Sequence, residues 1–287
     1  MKTATLTPEA FFEKHGAALK NPTLIRETLM VLRNPDCSAA ELVGVLEKDP
    51  GIASKVLKAA NSVFFGTPKS ITSLKAAIVR LGNHNITRIA LSSSLGASGS
   101  AEWANFWKHS IATGMLCRHI AEYLGNYSSQ EQEELFSMGL LHDLGVLIEL
   151  GSGEFKGMEK VLSENAQAEN PQPISNLEKD IFGFDHGELG MHVAVKWNFP
   201  QDLVHAIAYH HTPEASKDFY RKVCIVHFAN LVCHGFHISS FPDEAEPPTS
   251  EAYLQELNLP LEQLVLFGDW LLKQKPEIDA FGSLMGS

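Results

Sequence analysis

The segment from Asp49 to Gly82, DPGIASKVLKAANSVFFGTPKSITSLKAAIVRLG, decides the fold class because its apolar residues recur at helical spacing. Asp49 can cap a helix and Pro50 suits the first helical position, so a helix is expected to begin there. Further along, apolar residues follow the i, i+3, i+4, i+7 pattern of one helix face. These residues are Leu74, Ala77, Ile78 and Leu81. Gly82 follows in the position that commonly ends a helix.

Similar patterns on both sides of this segment predict an all-α protein. Thr7 and Pro8 open a first helix that is expected to reach Leu19. Ser38 and Glu41 form a capping box at the start of another helix. Further helices are expected over residues 103–124, 129–142, 186–198, 201–211, 217–234 and 261–273. No segment shows a strand-like alternation that is long enough to predict a sheet.

Small residues indicate a boundary between two helical lobes. The stretch GASGSAE, from Gly96 to Glu102, lacks helical patterning and is the expected junction. It separates an N-terminal helical lobe, residues 1–100, from a second lobe, residues 101–287, which includes the C-terminal helices. The residues between 151 and 176 are expected to be partly loop. An acidic, proline-rich stretch that begins at Phe241 predicts an exposed linker.

Composition restricts the class of protein. The chain has 287 residues, of which 44% are hydrophobic, so it can bury a substantial core. A net charge of −11 without a cluster of basic residues argues against a nucleic-acid partner. No signal peptide or long apolar run is evident, so a soluble, cytoplasmic protein without a membrane partner is expected. The 4 cysteines form no CxxC pair and predict buried thiols.

The unusual feature of the composition is its 13 histidines, several of which face inward by helical phase. The inward set, with one aspartate, is His109, His142, Asp143, His186, His210 and His211. Each histidine alone would more commonly be a hydrogen-bonded core residue than a ligand. Together, from four helical segments, they are hard to satisfy except around cations. The set therefore predicts a transition-metal site, and a purely structural role is the alternative.

Four strings around these residues resemble the HD superfamily of metal-dependent phosphohydrolases, including its HD-GYP cyclic-dinucleotide phosphodiesterase branch. They are WKHSIATG, LLHDLG, FDHGELG and AIAYHH. The Asp49–Gly82 segment, together with GELGMHVAVKWNFP, is similar to the signature of HDOD proteins. The resemblance covers about residues 20 to 215. It implies an HD-type helical core with an additional N-terminal helical lobe.

The resemblance also implies two metal positions. In the HD pattern one metal takes a histidine, the His-Asp pair and a later aspartate. The matching residues are His109, His142, Asp143 and, in place of the later aspartate, Asn230. In the HD-GYP pattern a second metal shares the aspartate with three further histidines, which match His186, His210 and His211. One or two ions of iron, manganese, zinc or nickel are expected, and Asp143 is the catalytic carboxylate if the site is active.

Three departures from the active pattern favour binding over turnover. Val146 stands where active enzymes often have lysine, the GYP string is absent, and Asn230 replaces a carboxylate. HDOD proteins are regarded as non-catalytic, so the resemblance implies a bacterial signal-transduction output protein with a weak or inactive metal site. It implies a signalling protein as partner and a nucleotide or phosphate as ligand. The alternative is a metal-dependent phosphohydrolase acting on a nucleotide or cyclic dinucleotide.

Overall fold

The protein is helical throughout the part of the chain that the structure, a computed structural model, describes. That part comprises residues 6–16, 22–32, 34, 38–62, 71–95, 100–154, 156–241 and 251–285. Within these ranges no β-strand occurs. The predicted all-α class is therefore confirmed.

The described helices are numbered in chain order. They are α1 (Pro8–His15), α2 (Pro22–Leu32), α3 (Ala39–Leu46), α4 (Pro50–Ala60), α5 (Leu74–Leu95), α6 (Ala101–Leu124), α7 (Ser129–Leu141), α8 (Leu144–Ser152), α9 (Lys156–Ala166), α10 (Ile174–Phe182), α11 (His186–Lys196), α12 (Gln201–Tyr209), α13 (Tyr220–Gly235), α14 (Glu251–Leu257) and α15 (Glu262–Met285). A short 3-10 helix, Pro213–Ala215, follows α12.

The caps read from the sequence define where several helices begin. The Asp49 carboxylate accepts hydrogen bonds from the backbone N–H groups of Gly51 and Ile52, and α4 begins at Pro50. The predicted capping box of Ser38 is formed at the start of α3. Asp185 caps α11 in the same way, which fixes the backbone entering that helix.

Other boundaries differ from the prediction. Gly82 adopts a positive φ of 74°, but a helix resumes directly after it, so α5 is kinked at Gly82 rather than ended there. The segment 151–176, which was expected to be partly loop, contains helix α9 and a non-helical stretch between α9 and α10. The first helix was expected to reach Leu19, but α1 ends at His15. Residues 17–19, most of the predicted linker after Phe241 and most of the Gly96 junction lie outside the described residues.

Helix α6 is the centre of the packing in the second half of the chain. It packs against α7, α13 and α15, while α11 packs against α8 and α12. Helices α2, α3, α4 and α5 pack together, and α5 also contacts α7 and α15. Helix α1 is an exception to this order because it packs against α8 and α11, far along the chain. The predicted division at residue 100 stays a prediction.

One stretch of the described chain, Ser129–Ser152, is long and apolar enough to cross a membrane by length and mean hydropathy. It comprises α7, the His142-Asp143 turn and α8, and 83% of its most apolar window is buried within the protein. This burial is consistent with core helices of a soluble protein. The predicted cytoplasmic location stays a prediction.

Candidate metal centre

Six side chains predicted to face inward meet in one cluster. His109 lies in the middle of α6, and His142 and Asp143 form the turn that joins α7 to α8. His186 is the first residue of α11. His210 and His211 directly follow α12. All are buried except His211, which is half-buried.

Asp143 is at the centre of this cluster because each of its carboxylate oxygens faces different imidazoles. Its Oδ2 lies 3.5 Å from Nε2 of His109. Its Oδ1 lies 3.2 Å from Nε2 of His142, 3.7 Å from that of His186 and 3.5 Å from that of His210. A carboxylate that faces both sets of imidazoles can bridge two cations.

The potential ligand atoms fall into two groups, each compact enough to hold a metal ion. The first group is His109, His142 and Asp143, and the second is His186, His210 and His211. In the first group the two Nε2 atoms are 3.2 Å apart. In the second, Nε2 of His186 is 3.3 Å from that of His210 and 3.0 Å from that of His211.

The Nδ1 atoms of four of these histidines show which nitrogen is available for a metal. Nδ1 of His109 lies 2.7 Å from the Ile238 carbonyl, Nδ1 of His142 lies 2.7 Å from the Gly139 carbonyl, and Nδ1 of His210 lies 3.0 Å from the Ile207 carbonyl. A carbonyl oxygen can only accept, so each Nδ1 carries the hydrogen. Nδ1 of His186 donates to Glu178 Oε2 at 2.7 Å.

This pattern fits a metal centre. A neutral imidazole whose Nδ1–H is donated presents a lone pair at Nε2, and neighbouring lone pairs at about 3 Å repel each other unless a proton or cation lies between them. Hydrogen bonds from the second ring nitrogen to carbonyl or carboxylate oxygens are also usual for metal-bound histidine. The donor set therefore matches that of a transition-metal site.

Burial and charge act in opposite directions on the ionisable groups of the cluster. Burial raises the pKa of Asp143, but the neighbouring imidazoles, His142 foremost, hold this pKa well below its usual range. Burial lowers the pKa of His142 and of His109. Burial also acts to lower the pKa of His186, yet the charge and hydrogen bond of Glu178 raise it well above its usual value. Asp143 is thus ionised and ready to bind a cation.

Asn230 lies on α13 near His109 of the first group. Its side chain is buried and close enough to His109 to favour the charged form of that ring. Its Oδ1 accepts no well-formed hydrogen bond from the described residues. One helical turn further along, His234 places its ring centroid 5.3 Å from that of His109. Sequence reasoning missed His234, although the i, i+4 spacing from Asn230 puts both on one helix face.

A second layer of side chains behind the histidines was also missed. His227 Nδ1 donates a hydrogen bond to the His210 carbonyl at 2.8 Å. Glu178 and Glu149 are fully buried near His186. The sequence offered a sign of both: Glu149 interrupts the apolar run LGVLIEL, and Glu178 follows Ile174 at helical spacing. A charged residue in an apolar stripe indicates a buried partner.

Close backbone contact between α8 and α11 brings Asp143 near His186. A Cβ atom at Gly145 would lie 1.9 Å from the His186 carbonyl oxygen, so no larger residue fits. Val146, where a lysine was expected in an active enzyme, is buried in the core. The HDLG string therefore has two structural roles, as donor of two ligands and as a contact surface for α11.

The helical fold and its buried His/Asp cluster are those expected of an HD-type protein. The sequence profile of the HDOD domain matches residues 19–213, and the chain belongs to the HDOD family. An uncharacterised protein of Treponema pallidum (strain Nichols) is 26% identical over 214 residues, 73% of this chain. The match spans only 41% of that relative, so the chain corresponds to about two fifths of it.

Three solved structures share the fold. An HDOD domain protein of unknown function from Geobacter sulfurreducens superposes with a TM-score of 0.70 and 22% identity, covering 91% of both chains. A protein named for signal transduction from Marinobacter aquaeolei VT8 has a TM-score of 0.74 and 19% identity, covering 99% of this chain and 67% of that one. A protein named as a phosphohydrolase from Shewanella amazonensis SB2B has a TM-score of 0.66 and 22% identity, covering 96% and 97%.

Proposed function

We propose that this chain is a metal-binding signalling module of the HDOD family with weak or no phosphohydrolase activity. One observation carries the proposal: imidazole Nε2 atoms converge beside Asp143 while the matching Nδ1–H groups are donated to oxygen atoms. A cation would turn the repulsion between these lone pairs into coordination. A purely structural role would need protons, rather than cations, between these atoms.

The two groups would hold one ion each. His109, His142 and Asp143 would take the first, with Asn230 beside it, and the second would lie among His186, His210 and His211 with Asp143 shared. Imidazole-rich sites favour iron, zinc, nickel or manganese over magnesium. When bound, such ions would supply Lewis-acid polarisation of a phosphate ligand or of water.

Several features support binding rather than efficient turnover. Asn230 supplies an amide where the active pattern has a carboxylate, which weakens attraction for a divalent ion. Val146 is buried and cannot contact a phosphate as a lysine would. The side chain of Asp143 is only 9% exposed, and His109, His186 and His210 are more deeply buried. Among the six residues of the cluster, His211 is the most exposed.

The second candidate is a metal-dependent phosphohydrolase acting on a nucleotide or cyclic dinucleotide. The sharing of Asp143 between the two groups favours it, because paired cations are a common device for phosphoester hydrolysis. In that case Asp143 would be the catalytic carboxylate. The substitutions at Val146 and Asn230 weigh against this candidate.

We further propose that the module docks a signalling protein in the bacterial cytoplasm, through the N-terminal helices. Met30 on α2 and Val79 on α5 are 61% and 75% exposed, so both side chains are accessible to a partner. Met30→Asp and Val79→Asp in the full-length chain should weaken capture of a regulator or kinase from native extract. Capture by both variants at the wild-type level would contradict this part of the proposal.

Metal analysis of the purified protein tests the central proposal. We expect retained iron, manganese, zinc or nickel, or stoichiometric uptake after reconstitution with each ion, and little hydrolysis across a panel of phosphodiesters. Protein that takes up none of these ions would rule out a metal-binding module. Robust turnover that Asp143→Ala abolishes would establish the phosphohydrolase instead.

A further inference from the structure

Two fully buried glutamates lie behind His186, outside both groups of potential ligands. Glu178 on α10 and Glu149 on α8 are each 0% exposed. Burying a carboxylate is costly unless it is paired and hydrogen-bonded. Such a pair next to a metal-binding cluster therefore calls for a functional explanation as well as a structural one.

Glu178 contacts His186 through one oxygen. Its Oε2 accepts hydrogen bonds from the His186 backbone N–H at 2.9 Å and from Nδ1–H at 2.7 Å. These two bonds fix the start of α11 and the orientation of the ring together. They also leave Nε2 of His186 directed at His210, His211 and Asp143.

A second buried carboxyl group, that of Glu149, lies close to Glu178. Glu178 Oε1 and both oxygens of Glu149 have no donor among the described residues. Glu149 is nevertheless close enough to Glu178 for the two carboxyl groups to influence each other. Two carboxylates that are buried next to each other repel, so both do not ionise readily. Two such carboxyl groups can satisfy each other only if one carries a proton and donates it. Burial first, and then the charge of Glu178, raise the pKa of Glu149 well above its usual value.

We propose that Glu178 is a positioning residue for the second group of ligands and that Glu149 donates a hydrogen bond that holds Glu178 in place. The two side chains act together as a support behind His186. This inference rests on the proposed metal-binding function and deepens it, because it makes the second group the better prepared of the two. The histidines of the first group have only neutral carbonyl oxygens as Nδ1 acceptors.

Four substitutions separate charge, shape and hydrogen bonding. Glu178→Gln keeps the shape but loses the charge, and Glu178→Ala loses both. Glu149→Gln keeps an N–H donor toward Glu178, whereas Glu149→Met keeps only the approximate volume. Glu134→Gln is the matched control, since Glu134 is a mostly buried glutamate that pairs with Lys222 rather than with a histidine.

Zinc affinity by competition with a chromophoric chelator is the first readout. We expect Glu178→Gln and Glu178→Ala to weaken the tighter zinc step about 10–100-fold, the range for loss of an outer partner of a metal-bound histidine. Glu149→Met should weaken it by about tenfold, and Glu149→Gln should restore it to within about threefold of wild type. Unchanged affinity in both Glu178 variants, with zinc still bound, would overturn the inference and leave the proposed function intact.

Proton NMR of metal-free protein is the second readout. The His186 Nδ1–H should give a downfield, slowly exchanging resonance that His186→Gln removes and that depends on Glu178. If wild type binds no zinc but shows this Glu178-dependent resonance, the proposed function fails and the contact stands. If Glu178→Ala does not fold by circular dichroism, Glu178→Gln and the Glu149 pair decide the matter. Absence of the resonance in folded wild-type protein would contradict the contact.

Discussion

The two groups of potential ligands share Asp143 but differ in what lies behind them. In the first group the histidines donate to backbone carbonyls, and Asn230 stands beside His109 where the active pattern has a carboxylate. In the second group His186 donates to a buried glutamate. Only the second group includes a half-buried ligand, His211. The negative charge behind His186 and the access of solvent to His211 therefore favour metal binding by the second group.

The comparison teaches that the hydrogen-bond partners behind the ligands are a better guide to metal affinity than the completeness of the ligand set. Outer partners orient a ring and raise its basicity, and their effect is largest when the partner is charged. We expect the second group to fill first as metal is added, and the first to fill at higher concentration.

The largest expected effect removes the feature common to both groups. Asp143→Asn keeps the shape of the side chain but removes the one carboxylate that, among the described residues, faces histidines of both groups. Loss of a ligand should exceed the roughly 10–100-fold that loss of an outer partner costs. Both zinc steps should weaken by more than that in the chelator competition. Loss of only one step would show that Asp143 does not bridge.

A substitution between α8 and α11 should break the second group while preserving every ligand. Gly145→Ala places a methyl group against the His186 carbonyl, and the helices must separate to accommodate it. We expect unfolding free energy to fall by about 1–3 kcal/mol and the tighter zinc step to weaken most. Gly44→Ala is the control, because nothing lies within 4 Å of a Cβ at Gly44. Equal effects of the two substitutions in denaturant titrations would contradict the close contact.

The buried histidine behind the second group should make stability depend on pH. Burial lowers the pKa of His227 to about 4, whereas an unfolded histidine titrates near about 6.5. The neutral ring is thus favoured in the fold, so its contribution is complete above the unfolded pKa and is lost as pH falls toward 4. Between pH 7.5 and 5 the loss should be about 2 kcal/mol.

Metal-free wild type and His227→Gln, unfolded by urea at both pH values, measure this contribution. The glutamine amide can still donate to the His210 carbonyl but does not titrate. The variant should therefore lose less stability on acidification than wild type does. Parallel losses in the two proteins would place the pH dependence elsewhere.

The smallest expected effect sharpens the first group. Asn230→Asp exchanges an amide for a nearly isosteric carboxylate beside His109 and adds charge to that group. The weaker zinc step should tighten several-fold, while the tighter step changes little. A rise in manganese- or iron-dependent phosphodiester hydrolysis would show that activity was limited mainly at this position. No change in zinc affinity would mean that residue 230 does not contribute a ligand.

Helical phase was enough to place the predicted ligands together, because His109 and His186 each repeat with apolar neighbours on one helix face. The second layer escaped prediction because Glu178 meets His186 across a turn between two helices. Local periodicity carries no information about such a contact. Gly82 was identified as a helix-ending glycine, but whether the chain then turns or resumes a helix depends on what packs around it.

Helix α1 has a consequence for how the protein can be divided into fragments. Phe11 packs at 5.5 Å and 5.4 Å from the rings of Phe182 and Phe184, and Phe12 lies beside Trp197. A fragment beginning at residue 101 would lack α1 and would expose the aromatic side chains that α1 packs against. Such a fragment would bind other proteins nonspecifically, for reasons unrelated to signalling. Point substitutions in the intact chain, rather than truncation, are the appropriate way to locate a partner surface.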